Sequence, residues 1–149
     1  MSLFQSINIS SSGLTAERLR MDIISKNIAN ANTTRTANGT PYKRQVVTFK
    51  AAETDSFKTH LNKYMNKNEN GDIGSGVEVT SIKEDDSSFK RIYDPGHPDA
   101  DKNGYVLMPN VNIVTEMINM ISATRAYEAN VTALNSSKSM MMKALEIGR

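Results

Sequence analysis

The chain has 149 residues, a mean hydropathy of -0.46 and 6% aromatic residues, so it fits one domain in length yet lacks the bulky side chains of one large core. Its formal charge of +2 comes from interspersed Lys, Arg, Asp and Glu without a basic stripe, which argues against nucleic acid as a partner, and the lack of cysteine excludes disulfides and thiolate metal sites. No run of about 18 apolar residues predicts a membrane span, and Met1 to Ser6 opens with neither the basic region nor the apolar run of a cleaved export signal.

Apolar residues recur at seven-residue spacing from the start: Ile7, Leu14, Met21 and Ile28, with Leu3, Ile24 and Ala31 on the adjoining row. Positions seven apart return to one face of an α-helix, so the pattern predicts one amphipathic helix from Leu3 to Ala31. Ser10-Ser11-Ser12-Gly13 puts four poor helix formers in succession and is the weak link of that helix, the place for either a break or merely a soft stretch. Asn27, Asn30 and Asn32 crowd its close, where a left-handed Asn32 would cap it. Intrinsic propensity is low, so the helix alone should fray and needs its stripe packed to persist.

Asn38-Gly39, Asn70-Gly71 and Asn103-Gly104 predict tight turns with positive φ. Tyr42 to Phe49, Val77 to Ile82 and Phe89 to Tyr93 are rich in β-branched or aromatic residues and predict short strands between them. From Glu53 to Asp72 the composition predicts a polar loop, within which Phe57, Leu61, Tyr64 and Met65 have the spacing of a local helical turn. Glu84-Asp85-Asp86 reads as a solvated turn. Asp99-Ala100-Asp101-Lys102-Asn103-Gly104 matches the opening of a calcium loop, but the position for its bidentate Glu is Asn110, and Pro95 and Pro98 keep a helix from entering it. An Asx-rich turn is the expectation there.

Ile113, Met120, Tyr127, Leu134 and Met141 repeat the seven-residue spacing, flanked by Met117, Ile121, Val131 and Leu145, and predict a second helix of ~50 Å at 1.5 Å per residue. Pro109 marks its boundary, Asn110 or Asn112 can supply the N-cap, and Glu116 lies near the positive end of the helix dipole. His60 and His97 lack a partner at metal-ligating spacing, and the helical serines follow no nucleophile pattern, so nothing here predicts an enzyme. Met140-Met141-Met142 reads as adaptable packing material rather than a copper site. The expected fold is α+β: long N- and C-terminal helices paired antiparallel in a coiled-coil-like inner domain (1–34 and 109–149), with a small β-rich central domain (35–108). The stripe residues of both helices, from Leu3 to Ile28 and from Ile113 to Leu145, form the expected assembly interface.

Ser12-Gly13-Leu14-Thr15-Ala16, followed by Asn27-Ile28-Ala29-Asn30-Ala31-Asn32-Thr33-Thr34, resembles the N-terminal signature of the flagellar rod, hook and filament-type axial proteins. The run from Tyr93 to Asp101 around Asp94-Pro95-Gly96-His97-Pro98 is similar to the short proximal-rod members of that family. So are Gly104-Tyr105-Val106, Pro109-Asn110-Val111-Asn112, and Glu116 through Arg125-Ala126-Tyr127-Glu128-Ala129-Asn130. The resemblance implies a non-catalytic, cofactor-free structural subunit of the periplasmic rod, the shaft that carries torque from rotor to hook. It implies export through the flagellar type III apparatus without a cleaved signal. Its implied partners are copies of itself, other rod proteins, the rotor-side base at the MS ring and export gate, and the distal rod. Two readings compete with it: a calcium module built on Asp99 to Gly104, and a helical adaptor that binds a single partner.

Overall fold

The computed structural model describes residues 3–52, 64 and 76–147. Two long helices, α1 (Leu3–Ala29) and α2 (Ile113–Ile147), flank four short strands: β1 (Gln45–Ala51), β2 (Val77–Glu84), β3 (Lys90–Tyr93) and β4 (Tyr105–Met108). This is the expected α+β arrangement, with the chain-terminal helices packed on each other and small antiparallel sheets between them in sequence.

The helices run antiparallel. Ser6 Oγ donates to Ser137 Oγ at 3.5 Å, Gly13 abuts the Asn130 amide, Thr124 Oγ1 lies 3.6 Å from Met21 Sδ, and Asn27 meets Glu116. The seven-residue step from Ser6 to Gly13 is thus matched by the step back from Ser137 to Asn130, the register a heptad pattern imposes. The buried residues of the two helices are mostly small or polar: Ser10, Ala16 and Asn27 from α1 and Glu116, Ala123 and Ser137 from α2, together with Ile23 and Ile24. Ile7, Leu14, Met21, Ile28, Met120, Tyr127, Val131, Leu134 and Met141 are half-buried. A chain short of aromatic residues closes its helices by letting the backbones approach.

Of the two outcomes expected at Ser10-Ser11-Ser12-Gly13, a break or a soft stretch, the break does not occur, and α1 runs through. Ser12 Oγ donates to Ile9 O at 2.7 Å and accepts from Val77 N at 3.0 Å, while the space beside Gly13 is filled by Asn130. The poor helix formers are the small side chains that admit β2 and α2, so tertiary contact offsets their propensity cost.

β1 and β2 pair antiparallel from Gln45↔Glu84 to Ala51↔Val77, with a register shift between Thr48 and Phe49. Gln45 is held at Asn27 and Val77 at Ser12, so the ribbon lies along α1. The intervening stretch of helix is ~22 Å long at 1.5 Å per residue, and β1 spans roughly 20 Å at 3.3 Å per residue, so the two match. β3 and β4 pair from Lys90↔Met108 to Tyr93↔Tyr105, and those two rings meet edge-to-face at 5.3 Å. β1 starts later than predicted because Tyr42 is buried with Ala31 and Val111 instead of joining a ladder. β4, too short for its alternation to register between Gly104 and Pro109, was not predicted.

Gly39 and Gly104 take the positive φ that their Asn-Gly pairs predict, 75° and 77°. Asn70-Gly71, most of the polar 53–72 loop and the Phe57, Leu61 and Met65 positions lie outside the described residues; Tyr64 is described and exposed. The end of α1 tightens through Ala31 N to Ile28 O and Thr33 N to Asn30 O, and Asn112 caps α2 by accepting from Val114 N and Thr115 N.

Gly76 opens β2 at φ 114°, and an added Cβ would collide with Ser12 Oγ. Gly76→Ala is therefore expected to destabilise the chain by roughly 1–3 kcal/mol, read from a urea-unfolding midpoint. Adding Ser12→Gly should recover only part of the loss, because it relieves the collision and leaves the backbone strain.

Candidate assembly interface

Where α1, β1 and α2 converge, a buried polar network fixes their relative placement. Asn27, 1% exposed, uses its full hydrogen-bonding capacity: Nδ2 donates to Gln45 O (2.8 Å) and Glu116 Oε2 (3.0 Å), and Oδ1 accepts from Tyr42 OH and Gln45 N, both at 2.9 Å. Glu116, also 1% exposed, receives Arg44 Nε and Nη2 on Oε1 at 2.9 Å. The other end of that guanidinium reaches Asp85 Oδ2 at 3.3 Å. Asn110 accepts from Arg44 N and donates to Asp85 O and to Ser87, so the second Asn-Gly-bounded segment is tied to the first.

The electrostatics follow from this geometry. Burial works to discharge Arg44, but the hydrogen bonds and charge of Glu116, then of Asp85, more than offset it and hold the guanidinium above its ordinary range. Burial, then the fields of Glu116 and Glu84, raises the Tyr42 phenol, which keeps it a donor to Asn27. The Ser87 N–H and hydroxyl, and then Arg44, hold Asp85 below the usual carboxylate range. Since its folded value lies under its unfolded one, the stability Asp85 adds is complete above the ordinary aspartate range and is lost as pH falls through the lowered value. An acid titration followed by circular dichroism checks that direction. Of Glu84-Asp85-Asp86, expected as a solvated turn, Glu84 and Asp86 are exposed, with Lys43 at 3.9 Å and 3.6 Å, whereas Asp85 is half-buried against Arg44 and Glu84 ends β2.

The motif residues divide by role. Asn27, Asn110 and Glu116 build the junction. Asn30 donates to Lys26 O and accepts from Thr33 Oγ1, whereas Asn32 is exposed. The loop through Pro95 and Pro98 is self-braced: Asp94 Oδ1 accepts from Gly96 N, and His97 Nδ1 accepts from Asp99 N, which puts the imidazole proton on Nε2. Thr34 Oγ1 donates to Asp99 Oδ2 at 2.8 Å, and Asp101 Oδ1 accepts from Lys102 N, whereas the Asx turn, with its bond two residues on, is made by Asp94 with Gly96. Among the described residues no three His, Cys, Asp or Glu side chains converge as metal ligands. Arg125 and Glu128 form an exposed pair at 3.3 Å, Tyr127 is half-buried, and Asn130 fits against Gly13. Asp101→Ala is expected to change stability by less than about 1 kcal/mol and to leave motility near wild type, since one turn bond is lost; a calcium-dependent motility defect would contradict it.

The stripe residues, expected as one interface, separate into two surfaces. Ile7, Leu14, Met21, Ile24, Ile28, Met120, Tyr127, Val131, Leu134 and Met141 are half-buried or buried. Ile113, Met117, Ile121 and Leu145 are exposed, and the Leu3 side chain lies outside the described residues. Val114 and Ile118, which the heptad reading passed over, join Met117 and Ile121 in an i, i+3, i+4, i+7 quartet 57–65% exposed. That quartet was legible as a second apolar row beside the first. Arg44, Tyr42 and Ser12 carried no such signal, because one polar residue has no period.

A helix hairpin locked by a buried polar junction, with apolar helix surface left uncovered, is the design of a structural subunit. Comparison with known proteins specifies it. The family described as "Flagella basal body rod protein" matches residues 7–35, and "Flagellar basal body rod FlgEFG protein C-terminal" matches residues 102–147. The chain is 50% identical to the flagellar basal-body rod protein FlgC of Bacillus subtilis across 100% of both chains. It is 53% identical to FlgC of Borreliella burgdorferi across 99% of this chain and 98% of the relative, and 38% identical to that of Salmonella typhimurium across 100% of both. The chain belongs to the FlgC family of flagellar basal-body rod proteins, and it is a structural subunit of the rod.

Proposed function

We propose that the chain polymerises with copies of itself and with other rod proteins into the periplasmic shaft that carries torque from rotor to hook, without catalysis or cofactor. Residues 1–34 and 109–149 make the inner, assembling domain and 35–108 the outer one, with the β1–β2 ribbon as the contact between them. The rotor-side base at the MS ring and export gate and the distal rod are its axial neighbours, and the type III apparatus exports it. The observation that carries this reading is the exposed Val114–Met117–Ile118–Ile121 face on a helix whose opposite face already holds α1, in a chain whose full-length relatives are rod proteins. Apolar surface of that size on a helix favours burial against another chain by roughly 25 cal/mol per Å².

Sedimentation of the purified full chain, alone and mixed with other rod proteins, tests it. Large assemblies in the mixture are expected. A complex that stops at one copy of each partner would make the chain an adaptor and overturn the reading.

A further inference from the structure

The α1–α2 seam does not end where α1 ends. In the register set by Ser6 with Ser137 and Gly13 with Asn130, Leu3 at the head of α1 stands opposite Met140, while α2 continues to Ile147. The row Tyr127, Leu134, Met141 is carried on by Leu145, one turn further on the same face. Leu145 is 75% exposed, although Leu134 and Met141 on that face are half-buried. Among the described residues, the seam is therefore extended by an apolar surface with no α1 residue opposite it.

At the other end of α2, and on its outer face, lies the quartet Val114, Met117, Ile118 and Ile121. Between the two surfaces the outer face is polar and exposed, with the Arg125–Glu128 pair, Thr132 and Asn135. Pairing one surface with itself would leave the other to a second, separate contact. Joining one to the other covers both with one kind of contact, is heterologous, and can repeat from copy to copy, as an open polymer requires.

We propose that the last turns of α2 in one copy, through Met141 and Leu145, dock on the Val114–Met117–Ile118–Ile121 face of a second copy, so that the seam continues from subunit to subunit. The proposal rests on the rod-polymer reading above and assigns the two faces that meet. Asn112, Thr115 and Ser122 around the receiving face are neutral, and Arg125, one turn beyond Ile121, is paired with Glu128 at 3.3 Å.

The absence of native cysteine makes the contact open to disulfide trapping. The full chain carrying both Ile118→Cys and Leu145→Cys is incorporated into rods, oxidised mildly, and run on a non-reducing gel beside each single variant. A ladder of multimers from the double variant, with none from either single variant, is expected, since the bond needs Cα atoms about 4.4–6.8 Å apart. A second pair, Met117→Cys with Leu145→Cys, guards against a folding or geometric fault peculiar to the first. A dimer from one single variant would show a face pairing with itself and overturn the proposal. So would an adduct with the mass of another rod protein, or the lack of a ladder from both pairs in rods that contain the variants. In those outcomes the polymer reading survives, whereas failure of the unsubstituted chain to enter rods would overturn that reading itself.

Discussion

Rods isolated from cells expressing Leu134→Asp are expected to contain none of the variant, although it is exported and its β3–β4 ribbon folds. Leu134 is half-buried, and it shares a helix face with Asn130 and Ser137, the residues that meet Gly13 and Ser6 of α1. A carboxylate there is taken from water without a partner, a penalty of several kcal/mol against a total stability of roughly 5–15 kcal/mol. The first loss is the hairpin itself, and docking fails because the inner domain no longer presents its outer face in place. Asn135→Asp, one residue on and exposed, introduces the same charge and is expected to cost under about 1 kcal/mol. Motility in soft agar and recovery in isolated basal bodies compare the two. Recovery of Leu134→Asp at the level of Asn135→Asp would remove the seam from the assembly mechanism.

Periodicity made both helices and the antiparallel pairing legible, because a heptad stripe has one cheap way to be buried within the chain. What periodicity cannot tell is which apolar row the chain covers for itself. Met117 and Ile121 lie beside the Met120 row in sequence space, yet they are exposed, while small residues of the same helix, Ala123 and Ser137, are the buried ones. Ser10 to Gly13 left a break open for the related reason that propensity describes an isolated helix, whereas Ser12 and Gly13 are where β2 and Asn130 arrive. Asn27, Asn110 and Glu116 were legible as motif residues, but their common purpose was not. It depends on Arg44, the second of two adjacent cations before a strand, whose meaning appears only when three segments distant in sequence are folded together.

Arg44→Ala is expected to be among the most damaging single changes in the protein. Both the Nε and Nη2 of Arg44 close on Glu116 Oε1, and the remaining polar partners of that carboxylate are the amides of Asn27 and Asn119, at 3.0 Å and 3.4 Å. Removing the guanidinium leaves a carboxylate in a site 1% exposed with no countercharge among those partners, a loss of about 3–5 kcal/mol. For a chain of this length that lowers the thermal midpoint by on the order of 10 °C. Arg44→Lys keeps the charge but offers one point donor in place of a fork, so it should recover only part of the loss. Arg44→Met combined with Glu116→Gln removes both charges while retaining an oxygen for the Asn27 amide, and it should stand well above Arg44→Ala in stability. That order, wild type, then the double variant and Arg44→Lys, then Arg44→Ala, belongs to an ion pair whose burial fixes the junction. If Arg44→Ala melts within about 2 °C of wild type, the junction is not held by this pair, and the placement of β1 against the two helices has to be explained by Asn27 alone.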